Sequence, residues 1–143
     1  MIELLSFLLT SPLETRWCLD NSTCLALEVS DTIEKQHLGM MQRPALPVGC
    51  GIWFPFQPAQ HPRLWMYKTE ASLDMVFVYK GRVLAIKHQV PICRELPCPI
   101  YGLSLSQDTD SVIEIGAGEA VRLGIQIGDT VVIEPSGLMF GER

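Results

Sequence analysis

Long apolar runs and charged residues are both scarce in this sequence of 143 residues. No stretch approaches the roughly 18 consecutive apolar residues of a membrane-spanning helix, so we expect no membrane span. Charged residues make up 19% and apolar residues 48%, a balance that excludes an intrinsically disordered chain. We therefore expect a single soluble globular domain over residues 1–143.

Basic charge is also in short supply, with 11 Lys and Arg against 16 Asp and Glu. The net charge of −5 argues against a nucleic-acid partner. The charge is uneven, because residues 63–94 are mostly basic and residues 95–143 mostly acidic. Two interpretations stay open: these charges only keep turns and strand ends solvated, or the basic stretch forms a site for a small anion.

Motifs of known catalytic or cofactor sites are missing. The sequence has no HExxH, no GxSxG and no phosphate-binding glycine loop, so we expect no cofactor and no metal. Its three histidines, His37, His61 and His88, are scattered. A Cys93–His88 nucleophile pair is conceivable, although His88 is also explained as a polar strand end.

The N-terminal residues 2–9 are apolar but lack the features of an export signal. No basic residue precedes them, and Ser11-Pro12-Leu13 is a poor cleavage site. We interpret them as a mature segment lying against the core or a partner, and we predict a cytoplasmic protein. Thiols stay reduced in the cytosol, so Cys18, Cys24 and Cys50 are expected to be reduced and mostly buried.

The remaining two cysteines, Cys93 and Cys98, lie in a loop bracketed by prolines. No CxxC is present, so no zinc knuckle or thioredoxin-type site is indicated. Three states of the pair stay open: two free thiols, a small disulfide, or two soft metal ligands that would need further ligands from elsewhere.

Alternating and punctuated apolar segments predict a mainly β (α+β) fold. The clearest element is a hairpin whose two strands, 74–79 and 82–88, are joined by the turn Lys80-Gly81. Pro55 and Pro58 are expected to end a short strand that begins at Gly51. About seven short strands and two short helices predict a small closed or partly open β-barrel. The other predicted strands lie at 24–30, 64–66, 111–115 and 130–134, and the helices at 31–41 and 117–123.

Four segments, in this order and spacing, resemble the family called domain of unknown function 192. They are Gly39-Met40-Met41-Gln42-Arg43, Gly51-Ile52-Trp53-Phe54, Trp65-Met66-Tyr67-Lys68-Thr69 leading to Leu73-Asp74, and Gly124-Ile125-Gln126-Ile127-Gly128-Asp129-Thr130-Val131. The resemblance covers about residues 24–134 and leaves 1–23 and 135–143 as peripheral segments. It implies a compact β-rich fold and no established activity.

The sequence departs from the family pattern at two places. Tyr67-Lys68 stands where the family has Lys-Asn, and Ser72 where it has Pro. A ligand or turn held by the family Asn would therefore be altered in this chain. The late Gly128-Asp129 resembles a turn of small barrels in which Asp accepts backbone N–H bonds, a structural role.

Five residues of the matched segments are candidate ligand-binding residues: Arg43, Trp65, Met66, Lys68 and Asp74. The favoured hypothesis is a binding or interaction module for a small molecule or a protein, with a shallow pocket lined by Trp65, Met66 and Arg43. The alternative is an enzyme that acts on a small anionic substrate through Arg43, Lys68 and Asp74.

The same residues also have structural interpretations. Trp65 would then lie in the core and Met66 would pack under a loop. Arg43 and Asp74 would form a bidentate ion pair that ties the first helix to the hairpin.

Overall fold

A computed structural model describes residues 13–19 and 23–136. The apolar segment 2–9 lies outside these residues. The strands are β1 (Thr15–Cys18), β2 (Cys24–Val29), β3 (Cys50–Gln60), β4 (Leu73–Tyr79), β5 (Arg82–Val90), β6 (Thr109–Gly116) and β7 (Ile133–Pro135). The helices are α1 (Ile33–Leu38) and α2 (Glu119–Leu123). Neither helix is long and apolar enough to cross a membrane, as far as the described residues go.

The strands form one mixed sheet in the order β5-β4-β6-β3-β2-β1-β7. β2 and β3 are parallel, and every other neighbouring pair is antiparallel. The two edges approach each other ahead of β7, where Val131 N–H donates to the Gly81 carbonyl at 2.8 Å and Val83 N–H to the Asp129 carbonyl at 3.0 Å. These bonds join only one end of the edge strands, so the sheet is a partly open barrel, and the predicted mainly-β fold is confirmed.

Side chains alternate between two cores on opposite faces of this sheet. The inner core lies on the side toward which the sheet curls, because it brings residues of both edges together; it contains Trp17, Leu25, Leu27, Val76, Val78, Val83, Ile113, Ile115 and Val131. The outer core lies on the other face and contains Met40, Ile52, Phe54, Met66, Leu73, Met75, Phe77 and Val112. Strands buried on both faces explain why their sequences are apolar at nearly every position.

Two predicted strands differ from the structure. β3 continues through Pro55 and Pro58 to Gln60, so the prediction that these prolines end the strand was wrong. β2 pairs only with residues 50–53, which leaves the later part of β3 with one neighbour, and an edge segment tolerates a residue that lacks an N–H. The segment 64–66 forms an isolated bridge between Leu64 and Tyr101 and not a strand.

Both ends of the chain's described part contribute to the sheet. β1, from the stretch expected to be peripheral, pairs with β2 on one side and β7 on the other.

The helix α1 is shorter than the predicted 31–41. Thr32 caps its N-terminus by accepting from Lys35 N–H at 3.1 Å, and Gly39 ends it with a φ of 46°.

The cysteine prediction needs correction. Cys18 and Cys24, expected to be reduced, face each other across β1 and β2 and form a disulfide. Cys93 and Cys98 form a second disulfide, which selects one of the three states left open. Cys50 is the free cysteine, and it is half-buried.

Candidate functional site: a cavity over a buried carboxyl group

A cavity of about 260 Å³ opens on the outer face of the sheet, between α1 and residues 63–65. Its walls are mainly apolar and include Leu38, Met40, Phe54, Leu64, Trp65 and Leu73. Gln36, His37 and Arg63 add polar groups. An apolar cavity with a few polar groups is the usual form of a small-molecule site.

The carboxyl group of Glu114 lines the same cavity. β6 alternates between the two cores, so Glu114 shares the outer face with Val112. Its side chain is buried, with the residue only 5% exposed, and within the described residues it makes no hydrogen bond. Burial raises the pKa of the Glu114 carboxyl to about 7, although the Arg43 guanidinium acts to lower it.

Arg43 lies beside Glu114 but is bonded to another carboxylate, Glu28 on β2. The pair is bidentate: Arg43 Nη2 donates to Glu28 Oε1 at 2.7 Å and Nη1 to Oε2 at 3.0 Å. Nη1 also donates to the Gly39 carbonyl at 3.3 Å at the end of α1. The predicted Arg43–Asp74 pair was therefore wrong in its partner, although Arg43 does tie the first helix to the sheet.

Strand register explains why Arg43 sits near two carboxyl groups. Glu28 pairs with Ile52 on β3, and Ile52 pairs with Glu114 on β6. The two glutamates therefore point to the same face from strands two positions apart, about 10 Å between backbones. Arg43 neutralises Glu28 through two bonds, and Glu114 is left without a hydrogen-bonded cation.

Asp74 is fully buried and accepts three backbone N–H bonds. Gln89 donates to Oδ1 at 2.7 Å, Gly118 to Oδ1 at 3.2 Å and Ala120 to Oδ2 at 2.8 Å. The carboxylate thus joins β4 to the end of β5 and to the first turn of α2. Its oxygens serve the fold and do not face the cavity.

The neighbours Trp65 and Met66 point in opposite directions. Met66 is 1% exposed and belongs to the outer core, while Trp65 is 40% exposed and lines the cavity. The structural interpretation that placed Trp65 in the core was therefore wrong.

Lys68 lies in a separate surface depression with Gln42 and Arg94. Its backbone has a φ of 62°, and Thr69 N–H donates to the Met66 carbonyl at 3.2 Å. The turn where the family has Asn is therefore kept, with Lys in the left-handed conformation that Asn tolerates better. Arg43, Lys68 and Asp74 consequently occupy three different surroundings and do not meet in one cleft.

The predicted turn at Gly128-Asp129 has the bonding expected of it. Gln126 N–H donates to Asp129 Oδ2 at 2.8 Å, which is a local structural role. The described residues contain no group of three or more His, Cys, Asp or Glu side chains that could hold a metal ion.

Sequence reasoning missed Glu114 and Glu28 as site residues. Each is the single charged residue inside an otherwise apolar strand segment, Val112–Ile115 and Leu25–Val29. A charge at a position whose strand neighbours are buried is the signal that could have found them, because such a charge needs a partner or a function.

The fold and the cavity define a partly open β-barrel domain with an apolar pocket over a buried carboxyl group. A family model matches residues 17–133, that of domain of unknown function 192, described as "Uncharacterized ACR, COG1430". The chain belongs to this family.

Two solved structures are similar to the chain. One is a protein of unknown function from Novosphingobium aromaticivorans DSM 12444, with 27% identity, a TM-score of 0.71 and coverage of 85% of this chain and 83% of that chain. The other, from Sinorhizobium meliloti 1021, is provisionally named a transcription regulator; it has 24% identity, a TM-score of 0.72 and coverage of 85% and 92%. The second likeness shows the fold alone. A search of curated proteins gave no match.

Proposed function

We propose that this domain binds a small, mainly apolar molecule in the cavity between α1 and residues 63–65. One observation carries the proposal: the carboxyl group of Glu114 lines an apolar cavity, buried and without a hydrogen bond within the described residues. The carboxyl oxygens of Glu114 are not sealed off from the cavity, so a molecule inside it can reach them. A polar group that faces an apolar cavity is the usual means by which such a site orients its ligand.

The size of the cavity sets the size of the ligand. A cavity of about 150 Å³ is enough to hold benzene, and this one is about 260 Å³, so a molecule with one ring and a short polar group fits. Trp65, exposed at the wall, offers an aromatic surface for such a ring. This favours a binding module over the enzyme alternative, whose three charged side chains lie apart.

The test is a titration of the full chain with three probes that share a benzyl or phenyl ring: benzyl alcohol, benzylamine and benzoate. We expect at least one to shift the indole N–H resonance of Trp65 at about millimolar concentration. The indole of Trp17, which donates to the Thr130 carbonyl at 3.1 Å in the inner core, is the internal control and should not move.

A matched pair of variants locates the binding. Leu38→Trp places a large ring at the mouth of the cavity, where Leu38 is 60% exposed, and should abolish the shift of Trp65. Leu105→Trp adds the same ring outside the cavity, at a position that is 79% exposed, and should leave the shift of Trp65 unchanged. The proposal fails when no probe moves the Trp65 resonance, or when both variants respond alike.

The two disulfides support a proposal about the compartment as well. The predicted cytoplasmic location depends on reduced thiols, and disulfides persist in oxidising compartments. We therefore propose that the domain works in an oxidising compartment. Thiol counting on protein isolated without reductant tests this, since reduced Cys18 and Cys24 would restore the cytoplasmic alternative.

A further inference from the structure

Within the described residues, no cation is hydrogen-bonded to the carboxyl group of Glu114. Arg43 is the cation whose charge acts on the pKa of Glu114. Both of its terminal nitrogens donate to Glu28, so the Arg43–Glu28 pair has no net charge. From α1, His37 faces the cavity, and from the opposite wall Arg63 does; both are exposed to solvent. On the sheet, Lys87 lies in the same cross-strand row as Glu114, with Met75 between them.

We propose that the ligand of this cavity carries a cationic head group, an ammonium or amidinium, that binds the carboxylate of Glu114. This inference rests on the proposed function and specifies the chemical class of the ligand.

Three observations favour a cation over an anion or a neutral group. A buried carboxylate repels an anion and gains most from a charged N–H donor, since such charge-assisted bonds are about twice as strong as neutral ones. Phe54 and Trp65 line the same cavity, and the faces of aromatic rings attract cations. Arg63, in contrast, is exposed to solvent, and an ion pair between an exposed arginine and a bound anion contributes little binding energy.

Binding must then displace a proton from Glu114. Because burial raises the pKa of its carboxyl to about 7, part of the free protein near neutral pH holds that proton. When the ammonium binds, the O–H bond of the carboxyl breaks, the proton goes to the buffer and the carboxylate accepts N–H bonds from the ligand. Linkage therefore requires that the affinity for an ammonium increases as the pH rises.

Calorimetric titration of the full chain with benzylamine, benzyl alcohol and benzoate tests the ligand class. We expect benzylamine to bind most tightly and to release protons at pH 7, measured in buffers of different ionisation enthalpy. Its dissociation constant should fall about tenfold from about pH 6 to about pH 8, while that of benzyl alcohol stays constant.

Two variants assign the effect to Glu114. Glu114→Gln keeps the shape of the side chain and should remove both the preference for benzylamine and its pH dependence, while binding of benzyl alcohol is retained. Histidine also changes charge in this pH range, and His37 lines the cavity, so His37→Gln tests the other titratable group: whatever its effect on the affinity itself, the pH dependence should stay.

The outcomes separate this inference from the proposed function. When benzyl alcohol or benzoate binds as tightly as benzylamine, or when binding takes up a proton, the cationic ligand is refuted and the binding function stands. When none of the three probes binds, the function itself is refuted. Proton release in the wild-type protein needs no variant, so a misfolded Glu114→Gln would not prevent a decision.

Discussion

Glu114 should make the domain less stable as the pH rises, and Glu114→Gln should remove this effect. Burial raises the pKa of the carboxyl from its ordinary 4.5 to about 7 in the folded protein. Below pH 4.5 the group is protonated in both the folded and the unfolded state and contributes no difference. Between these two pKa values the unfolded chain ionises first, so the free energy of unfolding falls as the pH rises.

The size of the effect follows from the two pKa values. Each pKa unit corresponds to about 1.36 kcal/mol, so the difference between 4.5 and about 7 lowers the free energy of unfolding by about 3 kcal/mol. This loss is complete above about pH 8. A typical domain has only about 5–15 kcal/mol of stability, which makes this loss easy to measure. Gln resembles the protonated carboxyl in shape and does not titrate.

The assay is urea unfolding of wild type and Glu114→Gln from about pH 4 to about pH 9. We expect similar stabilities at the acidic end and a variant that is more stable by about 3 kcal/mol at the alkaline end. Glu70→Gln, which removes a solvent-exposed carboxylate, is the control and should follow the wild type at every pH. A difference between wild type and Glu114→Gln that stays constant over this range would refute the buried, proton-holding carboxyl.

Three further predictions concern the thiols, the ion pair and the strained turn. Thiol counting in denaturant without reductant should give one free thiol, that of Cys50, and a count of three or more would contradict the two disulfides. Arg43→Ala should lower the free energy of unfolding by about 3–5 kcal/mol because it leaves the buried charge of Glu28 alone. Arg122→Ala, which also breaks a bidentate pair but at the surface, should change stability little, and an equal loss in both variants would argue against burial as the cause. Lys68→Asn should raise the free energy of unfolding by up to about 1 kcal/mol, seen as a higher urea midpoint, since Asn adopts positive φ more readily; a lower midpoint would mean that the Lys side chain stabilises the turn.

Local pattern was enough to predict much of the fold. The hairpin of β4 and β5 was located from two largely apolar segments and from the turn Lys80-Gly81 between them; both turn residues have positive φ in the structure. Gly124, with a φ of 73°, ends α2 as predicted. These features depend on residues close together in the chain, so the sequence carries them directly.

The candidate site depended on which strands become neighbours. Alternation indicates that Glu28 and Glu114 each share a face with nearby residues, but not that β3 alone separates their strands. The same holds for Arg43, because neither Glu28 nor Asp74 is close to it in the chain and only the folded sheet decides which carboxylate it meets.

The sequence by itself determined the family, the mainly β class, the hairpin and the turns, because alternation and turn chemistry act over a few residues. Tertiary structure alone decided the partner of Arg43, the outward position of Trp65, the pairing of Cys18 with Cys24 and the depth of Glu114. The physical reason is that burial, and with it the raised pKa of the Glu114 carboxyl, comes from β6 lying between β3 and β4 beneath the outer core.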